Sequence, residues 1–164
     1  MLCSCYLRKG TVYIPTWGRV ERGSYRMVEP VSVTPVSNTE ALRRALHDAF
    51  ARGNPTVPYL LRAQHPPSVM PKYTGVKDWN AFVRSTVTWS IDETNGAYTI
   101  NRKKKSVHGG WILDPDQTMT MPSGSTVDEI IDRMITILQE AARNQQMGKT
   151  TRSKNAPDPD GPKN

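Results

Sequence analysis

The sequence predicts an α+β fold in which one largely antiparallel sheet is covered on one face by two main helices. Residues at about 86–121 form consecutive runs that alternate polar and apolar side chains, which is typical of a β-meander. Two other segments, at about 38–52 and 126–143, repeat apolar residues every three or four positions, as amphipathic helices do. Because only two long helices occur and the hairpins are consecutive, a doubly wound parallel sheet is disfavoured.

The N-terminal part predicts three strands. Leu2–Tyr6 and Thr11–Ile14 are short apolar runs, and a turn through Lys9 and Gly10 separates them. Pro15, Gly18 and Gly23 then indicate a loop. Residues 25–36 are expected to be extended and to lie at an edge of the sheet, because the prolines in this run cannot donate to a strand ladder.

The two helices have recognisable ends. Ser37-x-x-Glu40 predicts a capping box at the start of the first helix, and Gly53 predicts its end. Thr126-x-x-Glu129 predicts a capping box for the second helix. After residue 143 the chain is polar and lacks periodicity. We therefore expect a single globular domain at 1–143 and a disordered polar tail at 144–164.

The segment 53–77 lies between the first helix and the meander and contains five prolines. A loop of this length within a domain is commonly functional, and its apolar residues indicate that it is ordered against the sheet. Trp79, Phe82 and Val83 predict a short helix directly after it. The candidate partner-binding residues of the segment are Tyr59, Leu60, Leu61, Met70 and Tyr73.

The meander contains the strongest turn signal. Asn95-Gly96 separates two alternating runs, and this pair favours a type I′ hairpin because both central residues need positive φ. The turn places Ile91 opposite Ile100 and Trp89 opposite Arg102. His108-Gly109-Gly110 predicts the next turn.

Asp114-Pro115 predicts a further, type I turn, which would begin a fourth strand at 118–121. The meander is therefore expected to contain four strands.

The formal charge of +7 is carried by residues 1–77, which favours an anionic partner. The run Arg102–Lys105 is also basic, although lysines on an exposed strand equally serve to prevent aggregation. The candidate anion-binding residues are Arg102, Lys103, Lys105, His108, Arg43 and Arg44.

No sequence motif for catalysis, for a nucleotide or for a metal is found, so we expect a protein that is not an enzyme and needs no cofactor. Cys3 and Cys5 lie on one face of a strand, but the three histidines lack ligand spacing, so buried free thiols are expected instead of a metal site. No run is long and apolar enough to span a membrane and no secretory signal is visible, which favours a cytoplasmic location.

Three segments carry a resemblance to small uncharacterised proteobacterial proteins, namely 1–6, 38–48 and 125–134. The resemblance covers about residues 1–143. Some chains of this build are similar to immunity proteins of contact-dependent inhibition systems, which implies a protein partner such as a toxin. Immunity proteins that block nucleases are commonly acidic, whereas this chain is basic, which implies an acidic face on such a toxin.

Two functional hypotheses follow. The first is a cytoplasmic protein-binding module that uses the segment 53–77 and the adjacent surface. The second is a nucleic-acid-binding protein that uses the basic N-terminal half and the run Arg102–Lys105, with tryptophans available for stacking on bases.

Overall fold

The structure, a computed structural model, describes the backbone of residues 1–154 and the side chains of residues 1–61 and 63–147. It confirms the α+β class. The strands are β1 Leu2–Arg8, β2 Thr11–Val20, β3 Tyr25–Pro35, β4 Thr56–Val57, β5 Val87–Thr94, β6 Ala97–Lys105 and β7 Trp111–Thr120. The helices are α1 Thr39–Arg52, α2 Val69–Thr74, α3 Trp79–Ser85 and α4 Val127–Lys154, with a 3-10 turn at Arg62–Gln64.

The sheet has the strand order β3-β2-β1-β5-β6-β7, and each of these neighbours is antiparallel. The short β4 adds to β2 in parallel. The pairing of β1 with β5 runs from Leu2 opposite Asp92 to Leu7 opposite Val87. This pairing joins the N-terminal strands to the meander and makes β1 a central strand.

Helices cover both faces of the sheet, so the expectation of one covered face is wrong. On one face α1 and α4 bury a core with Leu46, Ile131 and Leu138 against Ile14 and Ile91. On the other face α2 and α3 bury a smaller core of Tyr6, Tyr13, Val31, Met70 and Phe82. The short helix predicted from Trp79, Phe82 and Val83 is confirmed as α3. The second layer was nevertheless missed, because α2 has only six residues and no periodicity revealed it.

The meander has three strands. The Asn95-Gly96 hairpin is confirmed, with φ of +52° and +75°, and Trp89 lies opposite Arg102. The predicted turn at Asp114-Pro115 is wrong, because β7 continues through it.

A bulge accounts for this difference. Lys103 pairs with Leu113 and Asn101 pairs with Thr118, so residues 114–117 lie opposite Arg102 alone. An edge strand accommodates such a bulge and its proline, since the outer side of the strand needs no N–H donor.

The second strand is longer than predicted, and the loop expected at Pro15 and Gly18 is instead part of β2. The register shifts between Pro15 and Thr16, and a proline is tolerated at such a bulge. The chain turns only after Val20, where the Gly23 N–H donates to the Val20 carbonyl oxygen at 2.8 Å. The predicted edge strand is confirmed as β3.

The helix ends agree with the sequence in two of three cases. Gly53 ends α1 with φ of +61°, as predicted. The capping box of α4 is present: the Thr126 N–H donates to Glu129 Oε2 at 2.7 Å. The cap of α1 is Asn38, not Ser37, since Asn38 Oδ1 accepts from the Ala41 N–H at 3.0 Å. Asparagine and serine are about equally good N-caps, so a shift of one residue costs little.

The last helix continues to Lys154, beyond the predicted end at residue 143. Residues 144–154 of the predicted tail are therefore helical, and residues 155–164 lie outside the described part of the chain. A helix already anchored by packing extends with one hydrogen bond per added residue and needs no new nucleus. Gln145, Gln146 and Met147 are also good helix formers.

We expect Ile131→Asp to unfold the protein. The Ile131 side chain is fully buried between α4 and the sheet, and an unpaired buried carboxylate costs several kcal/mol, comparable with the stability of a domain. Thermal denaturation measures the effect. The control is Asp132→Ala, which removes only an exposed ion pair with Arg43 and should cost about 1 kcal/mol or less. Equal melting temperatures for Ile131→Asp and wild type would contradict the core assignment.

Candidate functional site

The segment 53–77 is ordered, and Asn54 connects it to the sheet. Asn54 Oδ1 accepts from the Leu2 N–H at 2.8 Å. Its Nδ2 donates to the carbonyl oxygens of Leu2 at 2.8 Å and of Trp17 at 2.9 Å. Strands β1 and β2 pair directly only between Tyr6–Arg8 and Thr11–Tyr13. The Asn54 side chain therefore bridges the two strands where they no longer pair.

A second connection is the two-residue strand β4, which pairs with β2 at Arg19 and Val20. The Arg19 N–H also donates to the Pro55 carbonyl oxygen at 2.9 Å. Gly18 makes this approach possible: a Cβ atom at Gly18 would lie 2.5 Å from Val57 Cγ1. Glycine at this position is thus required by close packing, not by an unusual backbone conformation.

Local hydrogen bonds hold the tip of the segment. The Gln64 N–H donates to the Leu61 carbonyl oxygen at 2.8 Å, and Gln64 Oε1 accepts from the Leu61 N–H at 3.0 Å. The guanidinium of Arg22, in the turn between β2 and β3, lies 4.2 Å from the centre of the Tyr59 ring. Such a cation–π contact contributes about 0.5–1 kcal/mol at an exposed site. Tyr59 and Leu61 are consequently held in defined positions.

The structure separates the five candidate partner-binding residues into two groups. Tyr59 is 43% exposed and Leu61 is 61% exposed, while Leu60 is half-buried beside them. Met70 is fully buried in the core under α2, and Tyr73 is half-buried against that core. The prediction that Met70 belongs to a partner surface is therefore corrected. Its side chain stabilises the fold, because an unbranched thioether fills core space well.

Residues 65–68 of the same segment line a pocket of 280 Å³, which we call the Trp17 pocket. It opens between β2–β3 and the start of α2. Its apolar walls come from Trp17, Met27, Pro66, Pro67 and Trp79, and its polar lining comes from Tyr25, Arg26, His65 and Ser68. Sequence reasoning missed it because its walls come from four separate parts of the chain.

Three residues that line the Trp17 pocket each have a buried polar side-chain atom without a hydrogen-bond partner. These atoms are Trp17 Nε1, Arg26 Nε and Ser68 Oγ. Ser68 is the N-cap residue of α2, but its hydroxyl makes no capping bond. These three atoms lie beneath the accessible surface of the pocket, so they do not by themselves indicate a ligand inside it.

The six candidate anion-binding residues do not meet. Arg43 and Arg44 lie on α1, which packs on β2 and β3, and Arg43 is paired with Asp132. The basic run lies on β6, which β1 and β5 separate from β2. At the usual strand spacing this separation is roughly 14 Å. The candidate anion-binding residues therefore lie at two separate places on the surface.

Two lysines of the basic run Arg102–Lys105 already have partners within the chain. Lys105 Nζ donates to the Arg84 carbonyl oxygen at 2.6 Å, and Lys104 lies 3.7 Å from Asp114. Arg102 and Lys103 line a 360 Å³ cavity with Trp111, whose buried Nε1 lacks a partner. His108 is exposed in the turn before β7 and does not line this cavity.

The largest of these cavities, at 390 Å³, lies between α4 and strands β5–β7. Its charged residues balance, with Arg102 and Arg133 opposed by Asp116 and Glu140. Among the described residues that line it, none has a buried polar side-chain atom without a partner. Its size alone does not indicate a ligand.

The buried titratable groups are not reactive. Cys3 and Cys5 are free thiols inside the main core, and their mutual hydrogen bond together with burial raises the pKa of Cys5. Burial also raises the pKa of Tyr6. Both groups therefore stay protonated at neutral pH. In the described residues no three His, Cys, Asp or Glu side chains cluster as metal ligands, and no helix has the length and hydropathy to cross a membrane.

Two solved structures share this fold. A protein of unknown function from Neisseria meningitidis matches with a TM-score of 0.56 at 16% identity, over 80% of this chain and 88% of that chain. A chain of the CdiA-CT/CdiI toxin and immunity complex from Yersinia pseudotuberculosis matches with a TM-score of 0.56 at 14% identity, over 86% of this chain and 95% of that chain. No known family model matches the chain, and no curated protein is significantly similar. The resemblance predicted from the sequence is confirmed at the level of the fold.

We expect Gly18→Ala to destabilise the protein by about 1–3 kcal/mol, as overpacking does, because the new methyl group would overlap Val57. Chemical denaturation measures this. The matched background is Val57→Ala, which removes the two overlapping methyl groups, so most of the penalty of Gly18→Ala should disappear there. If the two substitutions are simply additive, β4 does not lie against Gly18.

Proposed function

We propose that this chain is a non-enzymatic, cytoplasmic protein-binding module of the immunity type. Its partner surface is centred on Tyr59, Leu61 and the Trp17 pocket. The observation that carries the proposal is that two large apolar side chains are exposed on a segment that hydrogen bonds hold in place. The same segment also contributes His65–Ser68 to the lining of the Trp17 pocket.

The energetics of association favour such a surface. Exposed apolar groups gain free energy when a partner covers them, and side chains that are already ordered lose less entropy on binding. Tyr25, on β3 at the mouth of the pocket, is 40% exposed and adds a third large apolar group. Aromatic and arginine side chains are the residues most often found at the energetic centres of interfaces.

The fold comparison supports the same class of function. The Yersinia pseudotuberculosis chain belongs to a complex of a toxin and an immunity protein. From this likeness we infer only that the fold is compatible with binding a toxin. The residues that would bind a partner are proposed from the surface of this chain.

Nucleic-acid binding is a second candidate function, and one observation favours it. Arg102 and Lys103 line a cavity with Trp111, which combines cations with an aromatic ring as nucleic-acid sites do. The α1 arginines lie apart from this run and would not add to such a site. Binding of this kind would weaken steeply with salt.

We expect the double substitution Tyr59→Ala and Leu61→Ala to abolish capture of the native partner while the fold persists. Both side chains are exposed, so stability should change by about 1 kcal/mol or less. Affinity purification from the native host, with the melting temperature as the folding check, measures both effects. The matched control is Val107→Ala with Ile112→Ala, two exposed apolar residues near the other edge of the sheet.

Two results would contradict the proposal. One is equal recovery of the partner by the Tyr59/Leu61 double variant and wild type. The other is recovery of nucleic acid in place of protein, released by moderate salt.

A further inference from the structure

We infer that the hairpin of β6 and β7 docks on the surface of an anionic lipid bilayer, with Val107 at its tip entering the bilayer interface. This interaction goes beyond the proposed function, because it uses another end of the molecule and another class of partner. Two observations carry it. Three exposed aliphatic side chains lie in this one hairpin, and basic side chains lie beside them.

The aliphatic side chains belong to the turn and to β7. Val107, in the turn, is 95% exposed, and Ile112 and Leu113 on β7 are 49% and 51% exposed. Single exposed apolar residues are normal in a folded protein, whereas several together mark an interaction site. Turns favour glycine and small polar residues, so the geometry of the turn does not account for a valine at the tip.

Hydrogen bonds hold the turn in one conformation. The Ser106 N–H donates to the Gly110 carbonyl oxygen at 3.1 Å, and the Gly109 N–H donates to the Ser106 carbonyl oxygen at 3.2 Å. Ser106 Oγ also accepts from the His108 N–H at 3.2 Å. Val107 is therefore presented at the end of an ordered hairpin, which keeps the entropy lost on docking small.

The strand register places a lysine opposite each exposed residue of β7. Lys104 lies opposite Ile112, and Lys103 lies opposite Leu113. Because successive residues of a strand point to opposite faces, one such pair lies on each face of the hairpin. Lysine stems can lie along apolar surface while their ammonium groups remain among the lipid headgroups. The hairpin is thus suited to enter the interface end-on.

The depth required is small. Leu113 lies two residues further from the turn than Trp111, where β7 begins, and this distance is roughly 7 Å at the usual rise per residue. Apolar faces of interfacial segments are buried about 5–10 Å into the boundary of headgroups and acyl chains. The tip and the first residues of β7 fall within that range.

The hairpin is basic. Residues 102–113 contain four lysine or arginine side chains and no acidic one. Asp114 and Asp116 follow in the bulge, and Asp114 lies 3.7 Å from Lys104, so a net positive charge remains. Each lysine near a negatively charged lipid surface strengthens binding roughly fivefold. The charge therefore favours a bilayer that contains anionic lipids over a neutral one.

The docking hairpin and the proposed partner surface lie at opposite ends of the sheet. Strand β1 ends beside the start of β5, which lies beside the end of β6, so the turns 9–10 and 106–110 share one end. Lys9, in the first of these turns, is exposed and adds to the positive charge there. The turn 21–24, where Arg22 contacts Tyr59, is at the other end. A docked chain would therefore leave Tyr59 free to bind a protein.

Two other partners fit the hairpin less well. Protein interfaces are depleted of lysine at their centres, whereas lysines lie directly opposite the aliphatic residues here. Single-stranded nucleic acid stacks its bases on exposed aromatic rings, but Trp111 packs on Phe82 and Trp79, with ring centres 5.4 and 5.5 Å apart. Prevention of edge pairing explains lysines on a strand, but it does not explain an aliphatic residue at the tip.

The test measures co-sedimentation of the full chain with lipid vesicles. One set contains equal parts of phosphatidylglycerol and phosphatidylcholine, and the other contains phosphatidylcholine alone. We expect at least roughly tenfold stronger partitioning to the anionic vesicles, reduced at high salt because ions screen the lysines. Equal partitioning to the two sets, or no binding to either, would overturn the inference. This comparison uses wild type and decides the matter even if a variant folds poorly.

Two variants with matched controls test the residues, and their melting temperatures check that they fold. Val107→Ser should weaken binding to the anionic vesicles roughly tenfold, as loss of a buried valine does. Val33→Ser, at a valine that is 49% exposed on β3 at the opposite edge of the sheet, should leave binding unchanged. Lys103→Gln should weaken binding roughly fivefold, and Arg19→Gln, at an exposed position near the far end of β2, should not.

Two further results would overturn the inference. One is equal binding of the anionic vesicles by Val107→Ser and wild type, or an equal loss in Val107→Ser and Val33→Ser. The other comes from a single-stranded oligothymidine as a second probe. If the chain binds it, Val107→Ser binds it as well as wild type and the anionic vesicles are not bound, the hairpin is a nucleic-acid site instead.

Discussion

The three hydrogen bonds of the Asn54 side chain are the contact on which the candidate site depends. Strands β1 and β2 separate after a short stretch of pairing, so Leu2 and Trp17, which pair with β5 and β3, do not pair with each other's strand. Asn54 bridges them with one amide, which has both an acceptor and two donors. Because Asn54 directly follows Gly53, where α1 ends, this bridge also determines where the segment 53–77 begins.

The position of the segment follows from that bridge. The chain that follows Asn54 lies beside β2, where Gly18 leaves room for Val57. Tyr59 then contacts Arg22 in the turn between β2 and β3. Trp17 takes part twice, since its carbonyl oxygen binds Asn54 and its side chain lines the pocket. The core under α1 and α4 lies on the opposite face of the sheet and contributes stability instead of a binding surface.

Local signals predicted the fold better than the site. The Asn95-Gly96 hairpin, the pairing of Trp89 with Arg102 and the capping box of α4 depend on residues close in sequence. The bulge at residues 114–117 was misread as a turn, because a proline has the same local signature in both settings. Order in the segment 53–77 was expected from its apolar residues, but Asn54 contacts residues 52 and 37 positions away, which no local pattern reveals.

The pocket shows the same limit. Trp17, Arg26, Ser68 and Trp79 are unremarkable one by one in the sequence, and only the pairing of β2 with β3 and the placement of α2 and α3 bring them together. Met70 shows that residue type alone can also suggest a site where there is none. Its type suggests an interface residue, but the packing of α2 buries it completely.

The central claim is that Asn54 holds the segment 53–77 in the position that forms the proposed partner surface. Amide hydrogen exchange of Asn54→Ala tests this claim directly. Loss of the side chain leaves partly buried backbone groups unpaired, at about 1–3 kcal/mol. We therefore predict faster exchange at Leu2, at Arg19 and through residues 55–68, with α1 and α4 as protected as in wild type. The control Asn80→Ala, at an exposed position of α3, should leave the whole pattern unchanged. Unchanged exchange in residues 55–68 of Asn54→Ala, or an equal increase throughout α1 and α4, would contradict the account.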